Sequence, residues 1–572
     1  MQYVSSSFAA IAFLGLGLAG CGPSEPAATH TTSTTTAIEA PAAAAVTSLS
    51  VIGTNDLHGH VEMLPIFGGY LEILRSHPER AVVLLDGGDM FQGTLASNLK
   101  EGAPIVSAYN MLGYTAAAIG NHEFDYGPIG PEATVSEPGQ DSRGALKARA
   151  ADAEFPFLSS NIFDDETGAA INWPNVMPAT MHEVRGIKVG IIGVSTFETP
   201  NVTLPANFIG LSMEPLAARI SEHASALREA GAQAVLVAAH AGGECEEFLD
   251  PKDISSCGAH EIMEVAAALP TGSVDVIVAG HTHRAMAHEV NGIAIIESYS
   301  YGKAFGRVDL AVAADGSVSV DTIFPPRQLC SEGKGPSCTP GAYEEATVKA
   351  DAKLLILANE AQAVAESLRS KDLGITLPDG IKRSRSDASA LGDLFTDLML
   401  AAKPGADVAI TNGGSLRADL PSGPLNYGGL FEAMPFDNRF AMVKLNGETL
   451  RRLFAANLTR DNGLLSVSGL TVKAQCKRGK LDVRILRPNG KAVRDAEIIT
   501  VATSDFIASG GDGFIGSAGL EPLEIEIDGG ALIRDAMAEE LTKRGGTLSA
   551  SDVFDAKKPR IQFTETRPVA CE

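Results

Sequence analysis

The sequence predicts an α/β protein in two parts, and three observations predict it. Residues 48–328 alternate short apolar runs with helical stretches, and five of the runs end in a side chain that can bind a metal. Residues 339–371 are rich in helix formers, with no Gly or Pro from Ala342 to Lys371. Residues 372–568 then open a new set of strand-like runs between Gly-rich loops. Strands alternating with helices form α/β layers. The unbroken stretch reads as one long helix joining the two parts.

The first part carries the chemistry. Leu49-Ser50-Val51-Ile52 leads to Thr54-Asn55-Asp56-Leu57-His58, and Val82-Val83-Leu84-Leu85 leads to Asp86-Gly87-Gly88-Asp89. Ala116-Ala117-Ala118-Ile119 leads to Gly120-Asn121-His122-Glu123-Phe124-Asp125. Ala234 to Ala239 ends at His240, and Val274 to Ala279 ends at Gly280-His281-Thr282-His283. Near-continuous runs of Val, Ile, Leu and Ala are buried parallel strands, and ligands bind beyond the carboxyl ends of such strands. Stacking them gathers Asp, His and Asn at one edge, as a two-metal hydrolase requires. Asp56-x-His58 is expected to place both side chains on one face of an extended segment. Asp89 follows two glycines that let the backbone turn tightly, and one carboxylate can bridge cations about 3.5–4 Å apart. Asp56, His58, Asp89, Asn121, His240, His281 and His283 make seven candidate ligands, enough for two divalent cations. Their mixed oxygen and nitrogen donors suit Zn, Mn, Co or Fe.

The second part has new strands at Asp407-Val408-Ala409-Ile410 and Glu497-Ile498-Ile499-Thr500-Val501. Thr411-Asn412-Gly413-Gly414-Ser415-Leu416-Arg417 follows the first of them, and Arg417 can clamp a phosphate through two parallel hydrogen bonds. Met434-Pro435-Phe436-Asp437-Asn438 and the run from Ser504 through Phe506 to Gly510-Gly511-Asp512-Gly513 each set an aromatic beside polar groups. Two such faces can sandwich a nucleobase, and Asp512 can accept hydrogen bonds from ribose hydroxyls.

Charge and cysteine usage narrow the setting. A formal net charge of −25 argues against a nucleic-acid polymer as partner, but not against a small anion at a metal site. Phe8 to Leu18 is apolar and reads as the core of a signal peptide over residues 1–20. Leu18-Ala19-Gly20-Cys21 resembles the bacterial lipobox, although no Lys or Arg precedes it. That resemblance implies lipid on Cys21 and a place in the cell envelope, with Gly22 rather than Asp after the cysteine pointing to the outer membrane facing the periplasm. The rest of 21–47, rich in Ala, Thr, Ser and Pro, reads as a disordered tether. Cys245, Cys257, Cys330, Cys338, Cys476 and Cys571 remain, an even set that suits an oxidising compartment. Nearness in sequence favours Cys245–Cys257 and Cys330–Cys338, leaving Cys476–Cys571, with free thiols as the alternative.

Asn55-Asp56-Leu57-His58-Gly59, Asp86-Gly87-Gly88-Asp89, Asn121-His122-Glu123-Phe124-Asp125 and Gly280-His281-Thr282-His283 resemble the calcineurin-like metallophosphoesterases. Asn-His-Glu-Phe-Asp narrows the resemblance to the 5′-nucleotidase family. It implies a four-layer α/β/β/α domain joined by a long helix to a smaller mixed α/β domain that can rotate against it. One metal would take Asp56, His58, Asp89 and His283, the other Asp89, Asn121, His240 and His281. His122 would touch the phosphate with Asp125 orienting it. Asn412 and Arg417 would lie on the phosphate side, Phe436 and Phe506 would stack the base, Asp512 would bind ribose, and one of Arg383 and Arg385 would bind substrate. The implied reaction is hydrolysis of a nucleotide phosphate ester by water activated on two divalent metals. Alternatives are a nucleotide sugar, a 2′,3′-cyclic nucleotide or a thiosulfohydrolase substrate, a lipoprotein that binds nucleotides without turnover, and a surface protein with a relic site.

Overall fold

The structure is a computed structural model that describes residues 47–333, 337–460, 463–514 and 525–571. The expected signal peptide, Cys21 and all of the expected tether except Thr47 lie outside the described residues. No described helix is long and apolar enough to cross a membrane.

Two sheets stacked face to face form the first part. One runs, edge to edge, through Val318–Gln328, Ala304–Val312, Ser48–Thr54, Arg80–Asp86, Ala116–Ala118, Phe157–Leu158 and Val176–Met177. The other runs through Ala285–Val290, Ile293–Ser298, Val276–Ala279, Ala234–His240, Ile187–Ser195 and Ala179–Val184. Alternation along each strand splits its side chains between two cores. Leu49, Val51, Val83 and Leu85 meet Ile191, Leu236, Val276 and Val278 between the sheets. Ile52 and Leu84 face outward onto the helices Leu64–Arg75 and Ala103–Leu112. Val235, Val237 and Ile277 face the other way onto the helices Leu216–Glu229 and Glu261–Ala268. The result is the four-layer α/β/β/α arrangement, with both faces of each sheet covered.

Register decides where the site forms. Ser48–Thr54 pairs in parallel with Arg80–Asp86, Thr54 opposite Asp86, and Leu85 pairs with Ala116. In the second sheet His240 lies opposite Ser195 and Ala239 opposite Ala279, again in parallel. All seven candidate ligands therefore lie at or beyond the carboxyl ends of strands, His240 as the last residue of its own.

The joining helix is shorter than the sequence implies. It spans Ala352–Arg369, not 339–371. Ahead of it Ala342–Tyr343 pairs with Ala346–Thr347 in a small hairpin. The physical reason is tertiary: Glu344 reaches back to Arg80 at 2.8 Å and Arg307 at 2.6 Å, which pins the segment to the first part. Asp351 then caps the helix, accepting from the backbone of Lys353 and Leu354. The buried face of this helix, with Leu354, Ala358, Ala361 and Ala365, shares one apolar cluster with the first part and with Leu391, Leu394 and Phe395 of the second.

The second part is built on a five-stranded sheet in the order Ser466–Ser468, Val408–Thr411, Ile498–Ser504, Arg439–Asn446 and Glu526–Leu532. One face packs Val408, Ile410, Val443 and Val501 against the helix Gly447–Leu458. Three disulfides close described segments: Cys245–Cys257, Cys330–Cys338 and Cys476–Cys571.

Candidate dimetal active site

The loop after the first strand does not run extended. Asp56 and His58 hold φ of 49° and 50°, and Asp89, His281 and His283 hold 58°, 80° and 60°. Asp56 and His58 both reach the site, but through left-handed kinks rather than strand alternation, which corrects the extended-segment expectation. Non-glycine residues resist this region, so five together mark loops held by their surroundings. The holding bonds are visible. Asp56 N–H donates to Gly88 O at 2.9 Å, and His58 N–H to Asp89 O at 3.0 Å. His281 N–H donates to Asp56 Oδ2 at 2.9 Å.

Donor atoms collect in two groups. In the first, His58 Nε2 lies 2.9 Å from His283 Nε2, and Asp56 Oδ1 lies 3.9 Å and 3.4 Å from these two nitrogens. In the second, His240 Nε2 lies 2.9 Å from Asn121 Oδ1, 3.3 Å from His281 Nδ1 and 3.2 Å from Asp89 Oδ2. Asp89 Oδ2 is also 3.7 Å from His58 Nε2, so this carboxylate stands between the groups. Around an ion with bonds of about 2.0–2.2 Å, ligand atoms sit ~3.0–3.5 Å apart. The tautomers point the same way. His58 Nδ1 faces Gln92 O and His240 Nδ1 faces Gly87 O, each at 2.8 Å, so each neutral ring turns a lone pair on Nε2 inward. Asn121 donates its amide to Val202 O, which turns its oxygen inward as well. Lone pairs this close repel unless a proton or a cation lies among them, and the donor set fits two divalent ions.

Titration behaviour follows from that crowding. Burial pushes Asp56 up, but His283 and His240 outweigh it and hold the carboxyl at about 2. Burial works against a charge on His240, yet Asp89 and Asp56 raise it to about 10. Burial and the charge on His240 press His281 down to about 3. In the metal-free chain a proton on His240 thus does part of a cation's work.

A cavity of about 720 Å³ opens on these groups and is lined from both parts of the chain. Asp89, Asn121, His281 and His283 form its metal wall, while Asp56, His58 and His240 are buried behind it. His122 Nδ1 pairs with Asp125 Oδ2 at 2.5 Å, and Thr203 Oγ1 donates to Asp125 Oδ1 at 3.0 Å. From the second part, Arg417 donates to His122 Nε2 at 2.6 Å. Phe436 lies beside both, 5.7 Å from the His122 ring and 5.2 Å from the Arg417 guanidinium. Asn412 donates to Asp512 Oδ2 at 2.6 Å, and burial pushes the Asp512 carboxyl up. Phe506, Arg383 and Arg385 line the same cavity, with Arg383 also donating to Leu416 O at 2.9 Å.

Comparison with known proteins agrees with this architecture. Residues 49–285 match the family model of the calcineurin-like phosphoesterases, and residues 369–517 match that of the 5′-nucleotidase C-terminal domain. The chain belongs to the 5′-nucleotidase family. It is 27% identical over 547 residues to the trifunctional nucleotide phosphoesterase protein YfkN of Bacillus subtilis (strain 168), covering 88% of this chain and 34% of that one. It therefore spans about a third of that relative's length. It is 27% identical over 509 residues to protein UshA of Escherichia coli (strain K12), covering 82% of this chain and 86% of UshA. The crystal structure of a 5′-nucleotidase precursor from Thermus thermophilus shares the fold, with a TM-score of 0.69 at 22% identity over 90% of this chain and 99% of that one.

Several supporting residues of this 5′-nucleotidase fold escape sequence reading. Glu123 sits inside the Asn-His-Glu-Phe-Asp run, yet its role is visible only in three dimensions. Its carboxyl accepts from the backbone N–H of Asp89, Met90 and Gly120 at 2.9, 2.7 and 2.7 Å. Burial and the charge of Asp89 raise it to about 8. Asn55 bridges Asp56, Ser298 N and Tyr299 O. Glu297 accepts from Thr282 Oγ1 at 2.6 Å and Gly243 N at 2.9 Å, shaping the His281–His283 loop. Gly120 has a reason of its own: a Cβ there would lie 2.2 Å from Asp89 Oδ1.

Loading a cation must displace the proton on His240. Divalent-ion affinity of EDTA-treated protein is therefore expected to rise with pH, by up to ~tenfold per unit between about pH 6 and 10. Calorimetric titration with Mn²⁺ or Zn²⁺ at several pH values reads this directly; a flat profile contradicts it.

Proposed function

We propose that this chain hydrolyses phosphate esters of nucleotides, with Asp56, His58, Asp89, Asn121, His240, His281 and His283 holding two divalent metals. The single observation that carries the proposal is one cavity shared by the inward-facing donor atoms of the first part and the Arg417, Phe436, Phe506 and Asp512 side chains of the second. Two cations held there would supply Lewis acidity and lower the pKa of a water, so that hydroxide is available at neutral pH. Charge supports the substrate class. Two dications against the carboxylates of Asp56 and Asp89 leave a net of about +2, the complement of a phosphate monoester dianion.

The protein groups then divide the work. Arg417 brings fixed donors to the phosphoryl oxygens. Asp125 fixes the proton of neutral His122 on Nδ1, which leaves Nε2 facing the cavity. A substrate phosphate that draws Arg417 away from Nε2 frees that nitrogen to take up a proton from solvent, with Asp125 balancing the resulting imidazolium, and to pass that proton to the leaving ester oxygen. Phe436 and Phe506 offer flat faces to a base, and the Asn412–Asp512 pair offers polar partners to ribose. Either Arg383 or Arg385 can reach a substrate anion from the cavity wall.

We place the protein in the cell envelope, tethered by lipid on Cys21. The lipobox-like residues and the three disulfides support this. Cys21→Ser is expected to move the full-length protein from the membrane to the soluble fraction of its host; unchanged partition removes the anchor.

A panel of 5′-AMP, ATP, UDP-glucose, 2′,3′-cyclic AMP and bis-p-nitrophenyl phosphate, each with EDTA and with added Mn²⁺ or Zn²⁺, tests the function. Metal-dependent phosphate release from AMP or ATP is the expected result. Turnover of the nitrophenyl ester alone would remove the nucleoside reading. His122→Ala is expected to lower kcat by roughly 10²–10⁴ with both metals retained, and near-normal turnover would take His122 out of the reaction.

A further inference from the structure

Arg534 stands in the first turn of the helix Ile533–Arg544, outside every motif named above, and only 3% of it is exposed. A buried guanidinium has to satisfy its donors inside the protein. Arg534 spends most of them on one loop. Its Nη1 donates to Phe436 O at 2.9 Å and Met434 O at 3.2 Å, and its Nη2 donates to Asp437 Oδ1 at 2.6 Å. Its Nε donates to Tyr427 Oη at 2.9 Å, and its plane lies 4.3 Å from the Phe431 ring. The fork thus holds the backbone on either side of Pro435 and the side chain that follows Phe436.

The same loop is held from its other side by the metal-binding part. Gln92 Nε2 donates to Pro435 O at 2.8 Å and Asn98 Nδ2 to the same oxygen at 3.3 Å. Gln92 also presents its backbone oxygen to His58 Nδ1. Bonds to Gln92 and Asn98 cross between the two parts. The bonds to Arg534 lie wholly within the second part. A single planar group with several fixed donors suits this task better than a lysine, whose ammonium is a point charge.

We propose that Arg534 is the positioning residue that holds Phe436 in its nucleobase-facing conformation. The proposal rests on the nucleotide reading given above. It separates base recognition from phosphate chemistry, since Arg534 touches neither the metal ligands nor His122.

The test uses the full chain and two substrates, AMP and p-nitrophenyl phosphate, the second of which has no nucleobase. In Arg534→Met, KM for AMP is expected to rise roughly 10- to 100-fold, while kcat/KM for p-nitrophenyl phosphate stays within about twofold of the parent. Arg534→Lys should fall between the two, and Phe436→Ala combined with Arg534→Met should lose no more than Phe436→Ala alone. An unchanged KM for AMP in a folded, metal-loaded Arg534→Met variant overturns the proposal. Equal losses on both substrates overturn it too, because they mark a general structural role. If Arg534→Met does not fold, Tyr427→Phe removes one partner outside the cavity. It should raise KM for AMP by a smaller factor without touching the nitrophenyl ester, and no rise overturns the proposal. Phe436→Ala alone separates the two levels: no effect on AMP sinks the nucleoside reading itself, whereas an effect there and none in Arg534→Met sinks only the positioning role.

Discussion

One buried carboxyl group, Glu123, ties the metal-binding loops into a single object. It takes backbone hydrogens from Asp89, Met90 and Gly120, and so fixes the loop after the second strand against the loop after the third. With those backbones locked, Asp89 Oδ1 can accept from His122 N at 2.9 Å while Oδ2 stays turned toward both groups of donors. A carboxyl at this depth is costly unless every acceptor is used. Here the cost is offset by three hydrogen bonds, and the result is an Asp89 carboxylate fixed between the two groups of donors.

The second constraint is that neither part of the chain makes the cavity alone. His122 and Asp125 come from the first part, and the arginine that meets His122 comes from the second. Arg417 at 2.6 Å from Nε2 brings a guanidinium of the second part onto the His122–Asp125 pair of the first, so that the proposed phosphate donor and proton carrier meet at one point. The joining helix keeps the parts together through an apolar cluster that runs from one into the other. Polar contacts add to it at the cavity's edge, in the Gln92 and Asn98 bonds to Pro435 and the Arg439–Glu132 ion pair.

Much of this was legible in the sequence because strand ends and metal ligands are local signals. Apolar runs named the strands, and the polar residue after each run named the candidate ligands that the fold brings together, including His240 and the Gly280–His283 loop. What stayed hidden depends on residues distant in sequence. Helix propensity extended the joining helix back to 339, because nothing local reveals that Glu344 is drawn to Arg80 and Arg307. The spacing of Asp56 and His58 implied an extended segment, whereas bonds to Gly88, Asp89 and His281 hold both in the left-handed region. Glu123 lies within the Asn-His-Glu-Phe-Asp run and Arg534 within no motif, but neither role shows in the sequence, since a buried hydrogen-bond hub is defined by what surrounds it.

The central claim is that strand-end loops gather two cations around a shared Asp89. Electron paramagnetic resonance of the Mn²⁺-loaded protein tests it most directly. The account predicts two equivalents of Mn²⁺ per chain with the exchange-coupled spectrum of ions about 3.5–4 Å apart, lost in Asp89→Ala. One equivalent, or two with uncoupled spectra, would contradict it.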